Sequence, residues 1–275
     1  MLKKALVFTT VLSLAFAANL TAAAPGGTEN TKHFKLRADA VEIAEGVYKL
    51  GRAYDAQTHE LIEGYAIVHK KKGEARNGGG QARLPACYGY LASGAKWKNL
   101  ENWVVNPANN SALSDSFVLN TLGSGIAKWE DATDGIIGNG FGVNVLGDGS
   151  ATSSILVADQ TSPDNQNEVY FDNLGSDGTI AVTIVWGIFS GPTFNRRLVE
   201  WDQVYSTVYP WSASGEADKM DFANIAVHEL GHSVGMADIY SSSCVNVTMY
   251  GYAGFGETKK QTLEQPDING INKLY

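Results

Sequence analysis

The chain has 275 residues, 44% of them hydrophobic and 18% charged, which suffices for one large core with a small accessory region. Its net charge of -8 is unevenly spread: residues 1 to 83 carry 12 Lys+Arg against 8 Asp+Glu, whereas residues 84 to 275 carry 9 against 21. A region that acidic is unsuited to non-specific binding of nucleic acid or anionic membranes, so neither is expected as a partner, and the expected state is a soluble monomer.

At the N-terminus, Lys3 and Lys4 precede an apolar run from Ala5 to Ala18, too short and interrupted for a membrane span. Small residues around Ala17 and Ala23 offer cleavage sites, so residues 1 to 24 are expected to be a signal peptide and the protein to be secreted and extracellular. Val47 to Tyr54 and Leu61 to Val68, separated by a polar turn, form a hairpin-like pattern that should pack against the domain that follows. Lys70 to Gly73 and Gly78 to Gly80 predict an extended linker. Residues 25 to 83 therefore form either a prosegment, basic against the acidic region it would cover, or a small permanent N-terminal β region with linker. Residues 84 to 275 are expected to form the main domain.

Further along, Ser114 is the expected cap of a helix whose inner face carries Val118, Leu122, Gly125 or Ile126, and Trp129. Strand and turn chemistry follows, punctuated by Asp134-Gly135, Gly147-Asp148-Gly149 and Ser176-Asp177-Gly178. Thr179 to Phe189 is apolar on both faces, as in a central strand, and Val199 to Tyr205 alternates like a half-buried one. The Asp-Gly loops could hold calcium through hard oxygen ligands, although turn formation explains each of them.

The most specific segment runs from His228 to Asp238, HELGHSVGMAD. On a helix, residues four apart share a face, so His228 and His232 can aim their rings at one ion, with Glu229 beside them as general base. Gly235 falls where the helix should end and can adopt the left-handed conformation that turns the chain back. The five histidines are His33, His59, His69, His228 and His232. Beyond residue 69 no third imidazole exists, so Asp238 is the expected third ligand unless the N-terminal region contributes one.

With its glycine and third ligand, this motif resembles that of the metzincin zinc peptidases, and its aspartate ending looks like the snapalysin-type variant. Thr248-Met249-Tyr250-Gly251-Tyr252 is similar to the methionine-containing turn that metzincins place beneath the metal, with Met249 as that methionine. Leu263 to Tyr275 is similar to the closing helix of matrixins, and Trp103-Val104-Val105-Asn106-Pro107, followed by a helical segment, also looks matrixin-like. The resemblance implies an α+β, metzincin-like zincin fold: a twisted mixed sheet, a backing helix, an active-site helix, and a small C-terminal subdomain with the Met-turn and closing helix. It implies one catalytic Zn2+ and a peptide or protein substrate. Where some metzincins carry a tyrosine two residues after the methionine, this chain has Gly251; Tyr250 and Tyr252 flank it and could serve an oxyanion or line a pocket. The histidine-rich second zinc site of matrixins is excluded, because no histidine lies between residues 70 and 227.

For Cys87 and Cys244, the simplest reading is one disulfide bracing the segment below the metal; a matrixin-like switch, with the Cys87 thiolate on the zinc, and two free thiols are the alternatives. The expected function is that of a secreted zinc metalloendopeptidase, hydrolysing peptide bonds by a metal-activated water with Glu229 as general base. With Asp238 in place of an imidazole the activity should peak at neutral to alkaline pH. The rivals are a zinc-binding, non-proteolytic adhesion module and a secreted zinc hydrolase of non-peptide substrates.

Overall fold

The computed structural model describes residues 33–73, 86–111 and 113–275; the expected signal peptide and Gly78 to Gly80 lie outside the described residues. Along the chain come β1 (Val41–Ala44), β2 (Val47–Tyr54), β3 (Leu61–Lys71), β4 (Trp103–Val105), α1 (Asp115–Asp131), β5 (Gly149–Ala151), β6 (Asn167–Asp172) and β7 (Thr179–Ile188). They are followed by β8 (Arg197–Ser206), β9 (Trp211–Ser212), β10 (Met220–Asp221), α2 (Phe222–Ser233), β11 (Tyr252–Ala253) and α3 (Gln265–Leu274). Among the described residues nine strands form one mixed sheet in the order β1-β2-β3-β7-β8-β6-β4-β5, with β11 added parallel to the end of β3. This is the α+β plan expected from the sequence.

Local chemistry accounts for the helices. The Ser114 side chain accepts from the Phe117 amide and caps α1, whose buried face is Val118, Leu122, Gly125, Ile126 and Trp129, as expected. Asp221 caps α2 in the same way, accepting from Asn224 N. The two helices touch closely at Gly125, where an added Cβ would stand 2.6 Å from Leu230 Cδ1. Trp129 Nε1 donates to the Val227 carbonyl at 2.8 Å and locks that approach. The helices cover one face of the sheet; the other face carries a second core of Ile62, Ala66, Val182, Ile184 and Trp186, against which Phe34 and Leu36 pack.

One expectation about the strands holds here and two are corrected. The hairpin exists as β2 and β3 and packs against the region that follows, as expected: β3 pairs antiparallel with β7 from Glu63↔Gly187 to Lys70↔Thr179, and His33 to Tyr275 form one compact unit. Lys70 and Lys71, expected in a linker, lie in β3, because Lys71 N donates to Gly178 O and Lys72 N to Ala253 O, both at 2.8 Å. Finally, β8 is buried on both faces rather than one. Its carboxylates Glu200 and Asp202 accept from the amides of Asn165, Asp159 and Glu168, supplied by the preceding loop and β6, which cover that face.

Candidate metal centre

Helix α2 delivers His228, Glu229 and His232 to the interior, all with no solvent exposure. Each histidine is oriented from behind: His228 Nδ1 hydrogen-bonds with Thr248 O at 2.7 Å and His232 Nδ1 with Met236 O at 3.0 Å. Carbonyls accept only, so each Nδ1 carries the proton and each Nε2 presents a lone pair. Burial, helped by the neighbouring Lys260, lowers the His228 pKa to about 4 and keeps the ring neutral, its ligand form.

After α2 the chain reverses as expected. Gly235 has φ 102°, and an added Cβ there would meet Ala95 O at 2.8 Å, so a side chain is opposed by both conformation and space. Leu91 N bonds Gly235 O, Ala237 N bonds Gly89 O and Ile239 N bonds Met249 O, which fixes the backbone on both sides of Asp238. Asp238 Oδ1 comes to 3.1 Å from His228 Nε2 and 3.6 Å from His232 Nε2. Tyr240 donates its hydroxyl to Asp238 Oδ2 at 3.0 Å.

A metal ion fits this triad. His228 Nε2, His232 Nε2 and Asp238 Oδ1 are all buried without a hydrogen-bond partner, and they converge on one point. Three orphaned buried donors facing each other are costly unless an ion satisfies them. Below them Met249 is fully buried, and an added Cβ on Gly231, between the two histidines, would stand 3.0 Å from Met249 Cε, so the methionine packs against the helix at the histidines. Asp267 of α3 holds that turn, accepting from Thr248 N at 2.9 Å and Met249 N at 3.3 Å.

The family model described as Matrixin matches residues 96–275. The chain belongs to the matrixin family. Among curated relatives, this matrixin is 44% identical to "Matrilysin" of Homo sapiens over 61 residues, 22% of each chain. It is 39% identical to "Metalloendoproteinase 1" of Glycine max over 71 residues, 24% of this chain and 22% of the relative. The matched stretch thus spans about a fifth of the length of either relative. The family implies zinc and a zinc metallopeptidase fold, in agreement with the donor set.

The N-terminal region left open by the histidine count does reach the centre. His69 of β3 is fully buried with its ring 4.0 Å from that of His228. It lies with His228 and Glu229 in a second candidate group, but His69 Nδ1 is already bonded to Glu229 Oε1 at 2.9 Å, so the triad with Asp238 is the better ion site. Thr183 of β7 donates to Glu229 Oε2 at 2.6 Å. Burial raises the Glu229 pKa to about 8, the Thr183 bond opposing. Lys260, wholly buried and lowered to about 8 by that burial, stands 3.3 Å from His69 Nε2 and donates to Tyr250 O. His69, Thr183, Tyr240 and Lys260 were not singled out from the sequence. For His69 a signal existed: it shares a strand face with the apolar Tyr65 and Ile67.

Tyr250 and Tyr252 are placed differently from Tyr240. Tyr252 donates its hydroxyl to Glu45 and packs against Tyr240 with centroids 5.0 Å apart, while Tyr250 stacks edge-on with Tyr252. Cys87 and Cys244 form a disulfide with Cα atoms 5.4 Å apart, so no thiolate of Cys87 is free for a switch. Two of the Asp-Gly loops have their carboxylates engaged: Asp134 accepts from Ile136 N and Asn139, and Asp177 from Thr179 and Lys70. A different acidic group gathers at Asp159, Asp164 and Glu200, where Asp159 Oδ2 and the fully buried Glu200 Oε1 lack partners.

Proposed function

We propose that this matrixin is a secreted zinc-dependent endopeptidase in which His228, His232 and Asp238 hold the ion in the snapalysin-type manner and Glu229 is the general base. The observation that carries the reading is the convergence of three buried, unpartnered donor atoms beside a carboxylate that is not one of them. A closed structural site would use four protein ligands and would have no need of an adjacent base. Zinc bound there would supply Lewis-acid polarisation of a scissile carbonyl and acidification of a water.

Glu229 then moves the proton: it accepts from the attacking water and delivers to the leaving amine. Thr183 holds the carboxylate through Oε2, which leaves Oε1 for that exchange once His69 is withdrawn. Tyr240 orients the Asp238 carboxylate, and the Thr248 and Met236 carbonyls orient the histidines. Export and removal of residues 1 to 24 belong to the same reading, supported by a disulfide that an oxidising compartment would preserve. For calcium we favour the cluster of Asp159, Asp164 and Glu200 over the Asp-Gly loops, because two of its oxygens are unpartnered.

Casein or gelatin hydrolysis abolished by a chelator and restored by zinc is the deciding test. Zinc binding without hydrolysis of any peptide would favour the non-proteolytic module; chelator-sensitive hydrolysis of esters or other non-peptide bonds alone would favour the second rival.

A further inference from the structure

Strand β7 offers its outer edge for main-chain pairing, yet in this chain β3 is already paired there. The strand runs antiparallel to β7 for most of its length and then parallel to β11 at Lys70↔Tyr252 and Lys71↔Ala253, so it threads between two backbone edges that flank the metal centre. Between those edges it inserts His69, which takes Glu229 Oε1 on one side and Lys260 Nζ on the other. With Thr183 on Oε2, both oxygens of the candidate base are engaged.

The two residues after His69 also have side-chain partners, nearer the surface. Lys70 Nζ reaches Asp177 Oδ2 at 2.6 Å and Thr179 Oγ1 at 3.1 Å. Lys71 Nζ lies 4.2 Å from the centre of the Phe255 ring. These are a carboxylate and an aromatic face, the two surfaces that recognise a lysine ammonium. A strand that adds to a sheet edge, fills the centre and has its side chains held in distinct seats has the properties of a bound peptide.

We propose that β3 is a built-in peptide occupying the groove of its own chain: it keeps the metal centre closed, and its Lys70 and Lys71 seats mark the groove as one for extended peptides with paired lysines. The proposal rests on the peptidase reading above. It assigns inhibition to a histidine on a paired strand, in a chain whose Cys87 is committed to a disulfide. Displacing β3 uncovers Glu229 and the β7 edge and frees Asp177 from Lys70.

The test uses the full-length, zinc-loaded chain and two variants that loosen β3. His69→Ala removes the clasp on Glu229. Gly64→Val drives a side chain into Trp186, since a Cβ there would stand 2.6 Å from the indole. Binding of a peptide hydroxamate, followed by calorimetry, reads access to the centre independently of turnover. About tenfold tighter binding and about tenfold faster peptide hydrolysis are expected in both variants, the change that loss of one charged hydrogen bond brings. If Gly64→Val fails to fold, His69→Ala decides alone. Wild-type binding as tight as the variant's would overturn the closure and leave the peptidase reading intact, and so would slower hydrolysis with unchanged hydroxamate affinity, which would make His69 a positioning residue. Tighter binding without cleavage of any peptide would instead remove the peptidase reading while the closure stands. In the His69→Ala chain, Asp177→Asn should lower kcat/KM about tenfold for a peptide with paired lysines and leave its dialanine counterpart unchanged; equal effects on both would overturn the lysine seats.

Discussion

Gly231→Ala sets two known magnitudes against each other at the centre of the site. Gly231 lies inside α2 between the two histidines, where replacing glycine by alanine ordinarily stabilises a helix by about 1 kcal/mol. Here the added methyl would come within 2.8 Å of Trp129 Cζ2 and 3.0 Å of Met249 Cε, with Met249 Sδ closer still. Neither neighbour can yield freely: both are fully buried, and the Trp129 ring is pinned by its bond to Val227 O. Overpacking of this kind costs about 1–3 kcal/mol, and the severity of the overlap puts it at the upper end. The net expectation is a loss of about 1–2 kcal/mol, or roughly 3–6 °C in Tm for a domain of this size. Thermal unfolding followed by circular dichroism measures it, and adding Met249→Val to the variant should return part of the loss by making room. A Tm that rises by about 3 °C in the single variant would show helix propensity winning and would refute the seating of Met249 under the helix.

Glu229→Gln should retain zinc, measured by metal analysis after dialysis, and lose at least about a hundredfold in peptide hydrolysis; unimpaired turnover would remove Glu229 from the chemistry. Asp267→Ala strips the partner from the Thr248 and Met249 amides, and a destabilisation of about 3 kcal/mol in denaturant unfolding is expected. Reducing the Cys87–Cys244 bond, which spans 157 residues, should cost roughly 2–5 kcal/mol, read as a lower Tm with reductant. Glu200→Gln should raise stability in the presence of chelator. Burial, then the charge of Asp159, lifts the Glu200 pKa from 4.5 to about 9, so the folded state holds that proton more tightly than the unfolded one. The wild type therefore loses stability as pH rises through the interval from 4.5 to about 9, and the advantage of Gln should grow across that interval. Added calcium should stabilise the wild type and not the variant; the reverse pattern in thermal shift would deny the cluster an ion.

What could be read from the sequence follows the range of the interactions involved. The cap at Ser114, the buried stripe of α1 and the reversal at Gly235 depend on residues within a turn or two, and each is where the local pattern puts it. The apolar run of β7 likewise announces burial on both faces. The pairing of β3 with β7 does not, because strand alternation fixes which face a residue takes but not which edge the strand joins. For that reason the hairpin was legible as a hairpin while the position of His69 was not. Lys260 had no local signal, since only the chain fold brings it under the metal centre. The acidic alternation of β8 reads as a wet face and is instead covered by the amides of the preceding loop and β6, a tertiary choice.

The disulfide also has a topological meaning. Joining Cys87 to Cys244 closes a covalent ring that contains β4 to β10, α1, α2 and all three candidate metal ligands, and leaves β1 to β3 outside it. A single backbone cut anywhere within the ring opens it without detaching a fragment, so damage from neighbouring peptidases would be invisible on a non-reducing gel. A cut between Gly73 and Cys87, by contrast, severs every covalent link between the N-terminal strands and the rest. A single cut there is therefore enough to free β1 to β3 together, His69 included.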